Sequence, residues 1–355
     1  MRAILTVLVI AAFLISVVPG VFANDVGGGI TPDIETEDFE PLVWLCGERV
    51  VYDDGTEPGR VTGDGDDMLE RLNNYAFEGE QVGWITLVMD KNSIDKVIDV
   101  YATIGSSQGE GNDIEVNCHR IGLQEGLFDQ CNARILEEEV DWNPLLMDFY
   151  ECTMTVETSD SMYGEYWVTV EAEDLDGLLG TMDENEYWFF NPMIALSVDG
   201  DMTFESVRPG TSAYSSTLLV GNDADSGSGV MMDMFISGTD FYDSSSSGAM
   251  CPDSNVLELG NFAYFTTSGA YSTLNDPRRD AEGYVGIVYG DAFNNPAPFY
   301  DANEIIQAGP APGPYYGANI LSPGAEMALT FRLDLPEPCN GDFDTGSIYF
   351  WGEAI

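Results

Sequence analysis

The chain has 355 residues and carries 62 Asp plus Glu against 12 Lys plus Arg, a formal net charge of −50. That balance excludes nucleic acid and anionic membrane surfaces as partners, and it suits an exterior whose salt or divalent cations screen the self-repulsion. Apolar residues at 44% and aromatics at 12% exclude a disordered acidic chain, because they are enough to build packed cores.

The N-terminus reads as a secretory signal. Met1-Arg2 is a short positive region, Ala3 to Val18 is an apolar run, and Pro19-Gly20 breaks it. Val21-Phe22-Ala23 fits a small-residue cleavage site, so residues 1–23 are expected to be removed. The alternative is that the run is kept as a membrane anchor. The mature chain then holds no further apolar run of spanning length. Residues 24–41, Gly-rich and then acidic, read as a flexible leader.

The remaining 332 residues (355 minus 23) exceed a usual single core, which predicts two domains, 42–190 and 191–355. Gly, Ser, Asn and Asp punctuate short apolar stretches throughout, a pattern that predicts an all-β fold. Met68-Leu69-Glu70-Arg71-Leu72 is the one stretch that reads as a helical turn. Gln81 to Met89, Lys96 to Ile104, and 149–156 read as strands. In the second of these, Val97, Asp99, Tyr101 and Thr103 are expected on one face and Ile98, Val100, Ala102 and Ile104 on the other. Residues 163–173 alternate most clearly. Tyr166, Val168, Val170 and Ala172 are expected to face a core, with Thr169, Glu171 and Glu173 in water.

Here the residues carry a resemblance. Gly164-x-Tyr166-x-Val168-x-Val170-x-Ala172-x-Asp174, followed by Asp176-Gly177, resembles the last hairpin of extracellular immunoglobulin-like domains of bacteria and archaea. The resemblance implies a β-sandwich, with Tyr166 as its corner tyrosine.

Asn191-Pro192 ends the aromatic run Tyr187 to Phe190 and marks the domain boundary. Strands are then expected at 193–198, 216–220, 230–236, 326–335 and 347–351, with 230–236 the partner of 216–220. This order, with its Pro-Gly phrases at 209–210 and 323–324, resembles the TasA and camelysin fibre family. The segment Pro336-x-Pro338-Cys339-Asn340-Gly341-x-Phe343-Asp344 is similar to one found in secreted archaeal proteins. The fold expectation is two tandem Ig-like or jelly-roll-type β-sandwiches after a signal peptide, and the resemblance implies a cell-surface role.

Six cysteines behind an export signal predict disulfides. Pairing within domains leaves Cys251–Cys339 in the second and three arrangements of Cys46, Cys118, Cys131 and Cys152 in the first. Cys118–Cys131 as a local closure and Cys46–Cys152 as a long staple are favoured. No C-x-x-C spacing exists to suggest zinc.

Chemistry is sparse. The one histidine, His119, stands beside Cys118, so a Ser-His-Asp or Cys-His site has little to draw on. No G-x-S-x-G, P-loop or Rossmann fingerprint occurs. Calcium is the expected cation, since hard cations take carboxylate and carbonyl oxygens. The acidic clusters are 64–67, Asp174 and Asp176 with Asp183 and Glu184, Asp199 with Asp201, and Asn222-Asp223-Asp225. Asp174, Asp176, Asp199 and Asp201 are the preferred ligands, as an interdomain site, although each cluster also reads as a plain Asp-rich turn. Aromatics in the Pro/Gly/Asn-rich stretch 290–324, Tyr300, Tyr315 and Tyr316 foremost, are candidate ligand contacts or a cover for the sandwich end. The expected function is an exported structural or adhesive surface protein whose partners are copies of itself or envelope proteins. A carbohydrate- or peptide-binding module and a secreted hydrolase are the alternatives.

Overall fold

The computed structural model describes residues 33–53, 68–71, 73–107, 112, 114–122, 128, 131, 141–182, 186–245, 248–290, 302–310 and 315–355. They fall into two units, one ending at Asp38 and a compact body, Phe39–Ile355. In the first unit, residues 33–38 are exposed and form no strand. The body is all-β.

Its first half contains β1 (Leu42–Asp53), β2 (Met68–Arg71), β3 (Tyr75–Ala76), β4 (Gln81–Met89), β5 (Val97–Gly105), β6 (Ile114–Arg120), β7 (Met147–Thr155), β8 (Gly164–Asp174), β9 (Leu179–Thr181) and β10 (Glu186–Phe190). The second half contains β11 (Leu196–Asp199), β12 (Ser212–Asn222), β13 (Met232–Gly238), β14 (Phe241–Tyr242), β15 (Val256–Leu257), β16 (Phe262–Ser268), β17 (Tyr271–Ser272), β18 (Val285–Gly286), β19 (Asn303–Glu304), β20 (Ile320–Leu321), β21 (Glu326–Asp334) and β22 (Ile348–Ala354).

In the first half the strands run β2-β1-β4-β7-β6-β5-β8-β10-β3, with β9 also on β8. The path folds over at β6. Its beginning pairs with β5 and its end, Cys118–Arg120, pairs with β7. Two sheets thereby face each other across one core, with Val82, Trp84 and Val88 of β4 meeting Val168, Val170 and Ala172 of β8. Val168, Val170 and Ala172 of β8 face this core as the sequence predicts. Tyr166 packs against this core and donates its hydroxyl to the carbonyl of Ser161 at 3.3 Å, five residues upstream, as a corner tyrosine does.

Three local expectations fail for identifiable reasons. Met68–Arg71 is not a helical turn but β2, paired with Val51 to Asp53; strand pairing overrides a weak helical preference. A register shift between Val97 and Asp99 turns Val97 toward the core and leaves Ile98 exposed. Thr169 and Glu171 are buried, not in water; Tyr101, directly opposite Glu171 on β5, hydrogen-bonds it.

β4 is apolar on both faces because both faces are covered. Leu87 and Met89 point away from the main core and join Met147 and Phe149 of β7, Cys46 of β1, and Cys131. Trp142 stacks flat on Phe149, with ring centroids 5.2 Å apart.

In the second half one sheet runs β11-β12-β21-β16-β17 with β18 on β16, and another places β13 between β22 on one side and β19 and β20 on the other. β12 and β13 were expected to pair. They lie in opposite sheets, and β12 pairs with β11 and β21. Asn222, fully buried at the end of β12, donates to the carbonyls of Val230 (2.9 Å) and Leu321 (2.8 Å) and so ties the crossing loop down. The core between the sheets includes Val220, Met234, Ile236, Tyr264, Leu329 and Phe331.

All six cysteines are paired, as Cys46–Cys131, Cys118–Cys152 and Cys251–Cys339. The favoured Cys118–Cys131 and Cys46–Cys152 pairs are therefore corrected. Cys118 and Cys152 are direct cross-strand neighbours of β6 and β7, a relation set by register and invisible in spacing.

Candidate functional site

No strand ladder links the two halves among the described residues, yet the halves share a core. β3 and β10 form a short parallel pair in which Phe189 faces Tyr75 and Phe190 faces Ala76. Side chains alternate across a strand, so this pair has one face for each sandwich. Phe190 and Ala76 enter the first core, whereas Tyr75 and Phe189 enter the second.

Polar contacts frame this apolar plug. The Tyr75 hydroxyl donates to the carbonyl oxygen of Ile355 at 2.6 Å. Asn73 Nδ2 donates to Gly229 O and the Tyr187 hydroxyl to Gly227 O, each at 3.3 Å. Asp225 Oδ2 accepts from the Tyr163 hydroxyl at 2.9 Å and from the Met193 amide at 2.8 Å. The bond to Asp225 raises the Tyr163 phenol above its ordinary pKa. Asn191 is the pivot. Its backbone sits at φ 49°, a region open to Asn more readily than to most residues. Its Oδ1 accepts from Glu78 N at 2.7 Å, and its Nδ2 donates to Glu157 O and Met162 O at 2.9 and 2.7 Å.

The acids expected to bind calcium at this junction are elsewhere. Asp174 lies at the far end of β8 from Gly164, the residue that faces Phe190 near the junction. Its Oδ1 is taken by the amides of Asp176 and Leu178, and Asp176 pairs with Lys96 at 2.7 Å. Asp199 ends β11 and Asp201 follows it, both exposed. The four are not brought together as one site. Among the described residues no group of three or more His, Cys, Asp or Glu side chains is placed to hold a metal ion. Residues 64–67, Asp183 and Glu184 lie outside the described residues.

Two arginines of the second half are largely enclosed by acids. Arg332 binds Asp280 (2.8 Å), Glu282 (3.0 Å) and Asp334 (3.0 Å) and lies over the Tyr284 ring. Arg278 pairs with the fully buried Asp276 carboxylate at 2.7 Å and donates to the carbonyl of Glu304 at 2.8 Å. Burial pushes the Asp276 carboxyl up, but Arg278 and the amides of Gln307 and Arg278 outweigh it and hold it below the ordinary range. Asp233, the second residue of β13, pairs with no cation among the described residues. Desolvation pushes it up to about 6, against the hydrogen bond from Asn319 and with help from Glu304 and Glu353.

The other candidates are plainly placed. Tyr300 lies outside the described residues. Tyr315 and Tyr316 are half-buried, in a segment that turns back over the sheet of β13 so that Ile306, Ala308 and Ala318 form their own small cluster. His119 is exposed on β6, with Nε2 3.3 Å from Glu151, and its neighbour Cys118 is disulfide-bonded. The shared plug of Tyr75 and Phe189 escaped the sequence reading, although the unbroken aromatic run 187–190 was its signal.

No protein-family model matches the sequence, and no curated protein sequence matches it. Among solved structures it is similar to the C-terminal domain of BspA, an AgI/II polypeptide of Streptococcus agalactiae, at 9% identity over 89% of this chain and 97% of that one, with a TM-score of 0.29. A second BspA C-terminal chain gives 10% identity, 86% and 96% coverage and a TM-score of 0.28. Scores this low do not establish a common fold.

Proposed function

We propose that this chain is an exported structural or adhesive protein of the cell surface, without enzymatic activity of its own. The observation that supports it best is the junction. Two sandwiches share side chains through one strand pair and are framed by hydrogen bonds, which makes a stiff unit suited to bearing load and poor at closing around a substrate. Three disulfides fit an oxidising compartment. The acidic surface fits a salt- or cation-rich exterior, with calcium acting there as a screening ion.

Fractionation of cells that produce the chain, with immunogold labelling of intact cells, tests this reading. Label on the outer surface and signal in the envelope fraction are expected. Protein confined to the cytosol with its cysteines reduced would sink it.

A further inference from the structure

Among the described residues, strand β22 is an edge without the usual protection. It runs Ile-Tyr-Phe-Trp-Gly-Glu-Ala and pairs with β13 over seven residues, Ile348 opposite Gly238 to Ala354 opposite Met232, without a register shift. No described strand pairs with its other side. Edge strands are usually blunted by shortness, Lys, Pro or a bulge. β22 has none of these. The free stretches of β1 and β12 are each broken by a register shift, Leu45/Arg49 and Tyr214/Thr217, and other edges are short. Residues 348–352 are also uncharged, in a chain of net charge −50.

The hydrogen bonds fix which groups are on offer. The Ile355 amide donates to Met231 O, and the Thr239 amide donates to Ser347 O. Odd-numbered residues of this segment therefore bond to β13. In an antiparallel ladder the intervening residues point the other way. The N–H and C=O groups of Ile348, Phe350, Gly352 and Ala354 are the ones turned outward. The side chains of Ile348, Phe350 and Ala354 pack on the second core, which leaves Tyr349, Trp351 and Glu353 on the opposite face.

We propose that β22 pairs antiparallel with β22 of a second copy, about a two-fold axis at Trp351, to form one continuous sheet. This deepens the structural role proposed above and rests on it for its purpose, though not for its geometry. The strand is self-complementary in this register. Ile348 meets Ala354 of the second copy and Phe350 meets Gly352, so every outward group finds a partner. Trp351 faces its own symmetry mate in a non-hydrogen-bonded position, where Cα atoms approach to about 4.5 Å and aromatic pairs gain most. Glu353 falls opposite Tyr349 and not opposite the other Glu353, so the one acid on the strand meets no like charge. Isologous pairing of this kind is the commonest way for identical chains to close.

Sedimentation velocity on the chain from residue 24 to Ile355 tests the pairing between micromolar and several hundred micromolar protein. Twice the monomer mass is expected, with a dimer fraction that rises from 0.1 to 2 M salt (probe concentrations set by a Debye length of about 10 Å at 0.1 M). Trp351→Cys is expected to yield a disulfide-linked dimer on a non-reducing gel, and Glu353→Cys, melting like the wild type, is expected to yield none. A wild type that stays monomeric throughout overturns the pairing, as does a cross-link through Glu353→Cys but not Trp351→Cys. Envelope localisation is read separately, so a surface protein that remains a monomer would defeat the pairing and leave the surface role standing.

Discussion

Asn319 Nδ2 donates to Asp233 Oδ1 at 2.7 Å, and both side chains are buried. The same Nδ2 donates to Met234 O at 2.7 Å, and Asn319 Oδ1 accepts from Ile306 N at 3.0 Å. One amide thus ties β13 to the segment that covers it. The carboxyl pairs with no cation among the described residues, and desolvation raises it from 3.8 to about 6.

A raised carboxyl favours the folded state when protonated. Stability from Asp233 is complete below pH 3.8 and is lost as pH rises through about 6. The difference is worth roughly 3 kcal/mol. Asp233→Asn keeps the acceptor for Asn319 and removes the charge. Its melting temperature should exceed that of the wild type near pH 7.5 and converge with it near pH 4. Acid also relieves general repulsion in both proteins, so the comparison is the difference between them, in molar salt. Parallel curves would defeat the assignment.

Asp276 should behave in the opposite sense. Its carboxyl is held low by Arg278 and by amides, so its contribution is present above the ordinary carboxylate pKa and is lost as pH falls below it. Arg278→Met leaves the buried carboxylate unpaired and should cost about 3 kcal/mol or more at pH 7. Arg278→Met combined with Asp276→Asn should recover part of that loss. Chemical denaturation of the four proteins gives the coupling, and strict additivity would rule out a direct pair.

At the junction, Phe189→Ala removes a ring buried in the second core from a strand of the first half. A loss of about 3 kcal/mol is expected, and calorimetry should resolve two transitions, against one expected for the wild type. Tyr75→Phe, which removes the bond to Ile355 and keeps the ring, should cost about 1 kcal/mol and keep a single transition. A single transition in both variants would mean that the plug does not couple the halves.

The strands of this fold were legible because alternation is local. Gln81–Met89 has the bounds the sequence predicts, and Val168, Val170 and Ala172 face the predicted core. What stayed hidden depends on partners distant in sequence. The pairing of Cys118 with Cys152 follows from the register of β6 on β7, and the separation of β12 and β13 follows from a loop crossing between sheets. The acidic clusters are hard to read from sequence for a chemical reason. Asp174 receives two backbone amides, as an Asp in a tight turn does, and in a chain with so many acids spacing cannot separate turn-formers from ligands.

The Cys46–Cys131 bond closes 85 residues and anchors the layer of Phe128 and Trp142 over Leu87, Met147 and Phe149. Replacing both cysteines by Ser should cost about 4 kcal/mol, mainly by freeing the unfolded chain. It should also raise the exposure of Trp142, read as a red shift of tryptophan emission that mild reductant reproduces in the wild type. A variant as stable as the wild type would mean that packing alone holds this layer.

The last expectation concerns the charge itself. With 62 acids against 12 bases, repulsion opposes the compact state unless mobile ions screen it. One positive charge is fixed by the chain itself: Arg332 sits among Asp280, Glu282 and Asp334. Salt should therefore stabilise without saturation, with melting temperature rising steadily from 0.1 M sodium chloride upward as the Debye length falls from about 10 Å. Calcium should act through ionic strength and general screening. Arg332→Met should steepen the salt dependence, because it leaves three carboxylates facing one another. A saturable rise in melting temperature at micromolar calcium would instead reveal a dedicated site and defeat the screening account.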